Sequence, residues 1–266
     1  MSQSTPRVLP YRLLPALLCL ASFLSPPCNA DQLDGRALLT DAKLYFTAPV
    51  RWDSRDWMFV AGTALAIGAA HEYDDNVRAH FAGGSQAAPA GKDPKSTRDA
   101  VPALAIVGLT LGMSAILGDA AGYRETGSML EAAAFTAVSS TILKLAAGRV
   151  RPNETAKVDD WRNGGDSFPS MHTSLTWAIG TVLAESGGDD YRWVRRALGY
   201  GIAGAVSYAR VRENVHWASD TVAGAALGFA TAQFVMGRRN PDSRESSFNV
   251  VPVERGMMLT YRRSMD

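Results

Sequence analysis

The chain has 266 residues, 47% of them apolar and 20% charged, with a formal net charge of +1. This composition is ordinary for a globular protein. It gives no global attraction to nucleic acid, so local clusters of Lys and Arg carry more weight than the sum. Both cysteines, Cys19 and Cys28, fall in the first thirty residues, which argues against a disulfide framework or a Cys-based metal site in the rest.

The N-terminus has the tripartite pattern of a secretory signal. Arg7 and Arg12 form a positive region, Leu13 to Leu24 is a short apolar run, and Ser25-Pro26-Pro27 breaks it before Cys28-Asn29-Ala30. Cleavage after Ala30 is expected, giving an exported, cysteine-free mature protein. An uncleaved anchor helix and a lipid-anchoring site at Cys28 are the competing readings.

Residues 31–100 should hold a short helix at about 35–46, an apolar segment from Trp57 to Ala70 and a polar connection from His71 to Asp99. That connection contains Gly83-Gly84, Pro89, Gly91 and Pro94, with room for a short helix near 73–81, and reads as a long loop or flap. Within it, His71-Glu72-Tyr73-Asp74-Asp75 has metal-capable side chains but reads as a solvated helix end, and His80 as surface.

Residues 101–237 form the expected helical core. Val101–Gly118 is the longest uncharged run, Asp119–Ser128 reads as a polar turn, and Met129–Ala147 is helical in pattern. Residues 152–168 are loop, in which Asp159-Asp160-Trp161-Arg162 is either the mouth of a site or plain loop. Helices follow at Ser170–Ser186, at Arg192–Arg212 and from Ser219 or Asp220 to Gly237. The Ala and Gly content of the last one implies close helix packing. In the tail, 238–266, Phe248–Val253 and Met257–Tyr261 are rich in β-formers and read either as a small hairpin or as loose chain. The expected fold is all-α, a bundle of about six helices.

Membrane placement stays open at this level. A spanning helix needs about 20 mostly apolar residues, and only Val101–Gly118 and Thr221–Gly237 come close. Six spans after a cleaved signal would also place the end of the third helix, near Lys144, on the cytoplasmic side, which fits poorly with export. The sequence therefore favours an exported domain of the periplasm or cell envelope lying against a membrane surface, with an integral inner-membrane protein as the alternative.

Three clusters between Lys144 and Asp220 carry the chemistry. The third holds Arg210, His216 and Asp220; His216 and Asp220 are four apart and would share a helix face. A carboxylate beside an imidazole fixes its tautomer and leaves the far nitrogen free to attack or to accept a proton. An Arg beside such a His suits an anionic substrate; a structural His–Asp hydrogen bond is the bland reading. The second cluster, Phe168-Pro169-Ser170-Met171-His172-Thr173, opens a helix whose free N–H groups and dipole make an anion site, or an ordinary cap. The first runs from Lys144 to Arg151-Pro152. Lys144 and Arg151 would share a face if the helix continued, and Arg149 reads as a partner of the helix dipole.

Taken together, a Lys, six residues and Arg-Pro, then Pro-Ser-x-His, then Arg, five residues, His, three residues and Asp, resemble the type 2 phosphatidic acid phosphatase superfamily, which includes bacterial acid phosphatases and vanadium haloperoxidases. The resemblance covers Lys144–Asp220. It implies that Lys144, Arg151 and Arg210 hold phosphate oxygens, with Ser170 and the backbone N–H groups near Met171 and His172 completing the cradle. It further implies that His216 attacks phosphorus to form a phospho-histidine, that Asp220 orients it, and that His172 protonates the leaving oxygen, with no metal or cofactor. Two departures stand out. Met171 occupies a position that is usually Gly, which keeps the N–H donor but narrows the pocket, and Ala209 replaces the usual Ser before Arg210.

The expected activity is hydrolysis of phosphomonoesters or pyrophosphates, of lipid phosphates in particular. The alternatives are a broad-specificity acid phosphatase, a vanadate-dependent haloperoxidase, and a non-catalytic exported binding protein. The expected partners are a phosphorylated lipid or small phosphoester and a membrane surface, not nucleic acid.

Overall fold

The computed structural model describes residues 35–82, 96–187, 191–239, 247–253 and 256–262. The expected signal segment, residues 1–30, lies outside these. Eight α-helices follow one another: α1 (Gly35–Phe46), α2 (Ser54–Glu72), α3 (Asp74–Ala82), α4 (Ser96–Leu117), α5 (Ala120–Ala147), α6 (Met171–Glu185), α7 (Arg192–Arg212) and α8 (Ala218–Arg239). The fold is all-α, as expected, but among the described residues it has eight helices rather than about six, since both short segments near 35–46 and 73–81 are helical. The tail forms an antiparallel hairpin, β1 (Ser247–Val253) and β2 (Gly256–Arg262), pairing Ser247 with Arg262 and Val253 with Gly256.

Two boundaries differ from the sequence reading. The stretch 120–128 is not a turn: Asp119 takes a β conformation, accepts hydrogen bonds from the Ala121 and Gly122 amides, and starts α5 nine residues early. At the other end α5 stops before Arg151. Gly148 adopts a left-handed conformation (φ 54°) and donates its amide to the Lys144 carbonyl, a turn that glycine makes without steric cost. Lys144 and Arg151 therefore do not lie on one helix face.

The central helix is α6, packed against α4, α5, α7 and α8. Met129, Ala132 and Phe135 of α5 meet Ile179 and Val182 of α6 and Ala232 and Val235 of α8 in the core. Tyr45 of α1 stacks on Phe135 and places its hydroxyl 2.8 Å from Thr231 Oγ1. Small residues permit the close approach expected for α8. A Cβ on Gly228 would lie 2.2 Å from the Ser174 carbonyl oxygen, and one on Gly224 would lie 2.8 Å from that of Ser170. By length and composition α5 could cross a membrane, but it runs through the bundle against α4, α6 and α8.

Candidate active site

The site is assembled where the C-terminal end of α5, the loop 148–170, the start of α6 and the α7–α8 turn converge. Each cluster supplies its residues by a different local device.

The turn between α7 and α8 is built from backbone bonds. The Val215 and His216 amides both reach back to the Arg210 carbonyl at 3.3 Å, and Asn214 takes a left-handed conformation (φ 57°). Helix α8 begins only at Ala218, so His216 is not helical and does not share a helix face with Asp220. Their proximity comes instead from capping. Asp220 is the third residue of α8, and its Oδ2 accepts the amide of Trp217, just before the helix, at 2.9 Å. This draws the carboxylate toward the preceding turn. His216 Nδ1 lies 3.6 Å from Asp220 Oδ2, beyond hydrogen-bond range, and has no hydrogen-bond partner among the described residues.

His216 is buried, and burial holds its imidazole well below the usual histidine pKa. The charges of Lys144, Arg151, Arg210 and His172 push the same way. These four groups come from all three clusters, so the tertiary structure gathers them around one imidazole. Arg210, at the end of α7, is fully buried.

Ser170 stands at the N-cap position of α6, yet its side chain makes no capping bond. Its Oγ is buried without a hydrogen-bond partner among the described residues, while its amide donates to the Asp220 carbonyl at 3.1 Å. The Ser170 hydroxyl thus remains available to an anion at the start of α6. Met171 and His172, in the first turn, are half-buried.

Lys144 and Arg151 meet at Asp166. Arg151 binds that carboxylate through two nitrogens, Nε to Oδ1 at 2.7 Å and Nη2 to Oδ2 at 3.1 Å, and Lys144 Nζ donates to the Asp166 main-chain carbonyl. Burial lowers the Lys144 pKa to about 8, with Arg151 adding to the shift and Asp166 and Asp220 opposing it. Burial raises that of Asp166, but Arg151, Lys144 and His216 together outweigh it and hold the carboxyl below its usual value. Asp166 was not among the sequence candidates; it is one acidic residue among several in a polar loop, and nothing local sets it apart.

Behind the site lies a network that the sequence reading misassigned. Arg149, taken as a dipole partner, is wholly buried. Its Nη1 donates to Asp220 Oδ1 and Ser219 Oγ, both at 2.7 Å, and its Nη2 donates to Asp74 Oδ2 at 2.8 Å and to the Val158 carbonyl at 3.1 Å. The guanidinium lies between the rings of Trp161 and Trp217, 4.5 and 5.1 Å from their centroids. Asp74, read as part of a solvated helix end, is 1% exposed. Its Oδ1 accepts the Ser219 amide at 2.9 Å, and its Oδ2 accepts the Ser219 hydroxyl. His71 joins it, with Nδ1 3.1 Å from Asp74 Oδ2 and Nε2 2.8 Å from Asp159 Oδ1. His80 is exposed, as expected, against Phe81. Asp159 and Trp161 turn out to be anchors of this network.

Asp220 also accepts from Ser167 Oγ. Burial raises its pKa; Arg149, Ser167 and the Trp217 amide oppose the rise without cancelling it. Ala209 contributes only its carbonyl, to the Glu213 amide at 2.9 Å.

Comparison with known proteins finds similarity over part of the chain. Residues 125–242 match the family model of the PAP2 superfamily. A lipid A 1-phosphatase of Porphyromonas gingivalis is 31% identical over 118 residues, which is 44% of this chain and 22% of that protein, so the match spans about a fifth of the relative's length. Two solved structures are similar at 20% identity. One is a transmembrane PAP2 type phosphatidylglycerolphosphate phosphatase from Bacillus subtilis, with a TM-score of 0.46, covering 71% of this chain and 96% of that one. The other is LpxE from Aquifex aeolicus, with a TM-score of 0.39, covering 55% and 88%. All three clusters lie inside the residues that match the PAP2 superfamily model.

Proposed function

We propose that this chain is a phosphatase that hydrolyses lipid phosphates through a phospho-histidine at His216. The observation that carries the reading is the buried imidazole of His216, disfavoured as a cation and surrounded by Lys144, Arg151, Arg210 and His172. A neutral imidazole keeps a lone pair for attack, and the surrounding cations favour a phosphate rather than a metal ion. Phosphoryl transfer asks chiefly for positioning and charge neutralisation, which this set supplies.

In the first step Nε2 of His216 attacks phosphorus as the bond to the leaving oxygen breaks, and His172 gives that oxygen a proton. In the second, His172 takes a proton from water, the hydroxyl attacks phosphorus, and the phosphorus–nitrogen bond breaks to release inorganic phosphate. Lys144, Arg151, Arg210, the Ser170 hydroxyl and the amides of Met171 and His172 hold the phosphoryl oxygens throughout. Asp220 orients His216 from the Nδ1 side.

Two features favour a lipid substrate. The Porphyromonas gingivalis relative is named for a phosphate on lipid A. The bundle also exposes large apolar side chains on α2 (Trp57, Met58, Leu65) and α4 (Leu104, Leu109, Ile116), more than a water-facing helix ordinarily carries. These faces suit contact with acyl chains, and with the N-terminal signal pattern they support an exported protein at a membrane of the cell envelope.

The test is phosphate release from diacylglycerol phosphate and an isoprenoid pyrophosphate in mixed micelles, alongside p-nitrophenyl phosphate, for the native chain and His216→Ala. Turnover in the native chain, lost in the variant together with an acid-labile phospho-enzyme, supports the reading. Unchanged turnover in the variant overturns the mechanism, and release only from the water-soluble ester overturns the lipid assignment.

A further inference from the structure

We propose that Asp74, on α3 and outside the segment that matches the PAP2 superfamily, is a positioning residue for phosphoryl transfer: it holds the start of α8, and with it Asp220 and the His216 turn, through Ser219 and Arg149. The inference rests on the phosphatase reading above.

The helix start that carries Asp220 has two carboxylates on it. Asp220 caps it from within, through the Trp217 amide. Asp74 caps it from another helix, through the amide of Ser219. Both are acceptors at the positive end of α8, where they are favoured by the helix dipole. Two such carboxylates would repel each other, and Arg149 lies between them, bonded to Asp220 Oδ1 and Asp74 Oδ2 through separate nitrogens. The Ser219 hydroxyl closes the ring, donating to Asp74 and accepting from Arg149. Asp74, Arg149 and Asp220 have fully buried side chains, so none of these bonds is shared with bulk water.

This ring explains how Asp220 holds its place although it makes no hydrogen bond to His216. Ser167, the Trp217 amide and Arg149 fix its carboxylate, and Asp74 fixes Arg149. A second observation ties α3 to the same place. Asp74, Val77 and Arg78 line a small pocket together with Asn214, His216 and Trp217. Helix α3 therefore shares a pocket with His216 and is joined through Arg149 and Ser219 to the carboxylate behind it. The phosphate-holding groups Lys144, Arg151 and Arg210 make none of these bonds to Asp74, so loss of Asp74 should alter chemistry more than anion binding.

The experiment compares full-length native chain, Asp74→Asn and Ser219→Ala for kcat and KM on p-nitrophenyl phosphate, for inhibition by inorganic phosphate, and for thermal melting. Asp74→Asn is expected to lower kcat about 10- to 100-fold, the range common for groups that orient reacting residues, with the inhibition constant for phosphate changed less than about 3-fold. Ser219→Ala keeps both charges and removes only the shared hydroxyl; kcat should fall roughly 3- to 10-fold at an unaltered melting temperature, in line with a charge-assisted hydrogen bond. Folded Asp74→Asn with native kcat overturns the proposal. So does a parallel loss of phosphate binding and turnover, which marks a merely structural role. If Asp74→Asn does not fold, native kcat in folded Ser219→Ala overturns it. A native chain that releases no phosphate overturns the phosphatase reading itself, and this inference with it.

Discussion

Arg149 and Asp220 form a wholly buried ion pair, with Nη1 2.7 Å from Oδ1, whereas His216 stands 3.6 Å from the same carboxylate. The residue behind the site grips Asp220 more tightly than the residue it faces within it. The start of α8 is therefore set by the protein interior before any substrate arrives.

Replacing Arg149 with Leu should cost about 3–5 kcal/mol of stability, because it leaves Asp74 and Asp220 as buried carboxylates without their cation. Chemical denaturation in detergent measures this. A loss under about 1 kcal/mol would show that the two acids find other partners. Arg149→Lys should recover part of the loss only, since an ammonium cannot serve both carboxylates through a planar fork.

Asp166 occupies Arg151 as a phosphate would, through two oxygens, and its side chain is 53% exposed. On the proposed reading, in which Arg151 holds phosphate, substrate must displace that carboxylate. Asp166→Asn should therefore tighten inhibition by inorganic phosphate or vanadate by about 2- to 5-fold, the scale of a partly exposed ion pair. Weaker inhibition in the variant would mean that Asp166 organises Arg151 rather than competing for it.

The lowered pKa of Lys144, about 8, has a definite sign. The charged form prevails below that pH and is the one that would bind phosphate on the proposed reading, so kcat/KM, which reports the free enzyme, should decline as pH rises through about 8. In Lys144→Arg that alkaline limb should disappear from the accessible range, since guanidinium stays protonated. A limb that stays in place in the variant would assign it to another group. His216, by contrast, is depressed and should stay neutral into mildly acidic solution.

The α6–α8 interface should tolerate no side chain at Gly228, where a Cβ would meet the Ser174 carbonyl oxygen at 2.2 Å. Gly228→Ala is expected to destabilise by about 1–3 kcal/mol. Gly204→Ala on α7, with nothing within 4 Å, should be neutral or stabilise by up to about 1 kcal/mol through helix propensity. Equal melting temperatures for the two variants would count against the tight packing.

The helices were legible because their signals are local: apolar runs and small residues along α8. The errors also have local explanations. Asp119–Ser128 looked like a turn because its polar residues outweigh its apolar ones, but one capping aspartate and burial of Thr126 and Ser128 make it helix. His216 and Asp220 looked like helix neighbours because their spacing is four, a spacing that a helix-capping turn also satisfies.

The three clusters, their order and the family they resemble come from the sequence alone, since residue type and spacing are enough to specify them. The partners of Arg149 do not. Arg149 and Arg151 sit two positions apart with the same side chain, yet one is buried against Asp74, 75 positions away in the chain, and the other faces Asp166. Asp74 and Asp75 are likewise adjacent and chemically identical, and only Asp74 is buried. Which of two equal charges loses its water depends on how α3 and α8 pack. That loss of water is what turns an ordinary surface charge into a fixed element of the site.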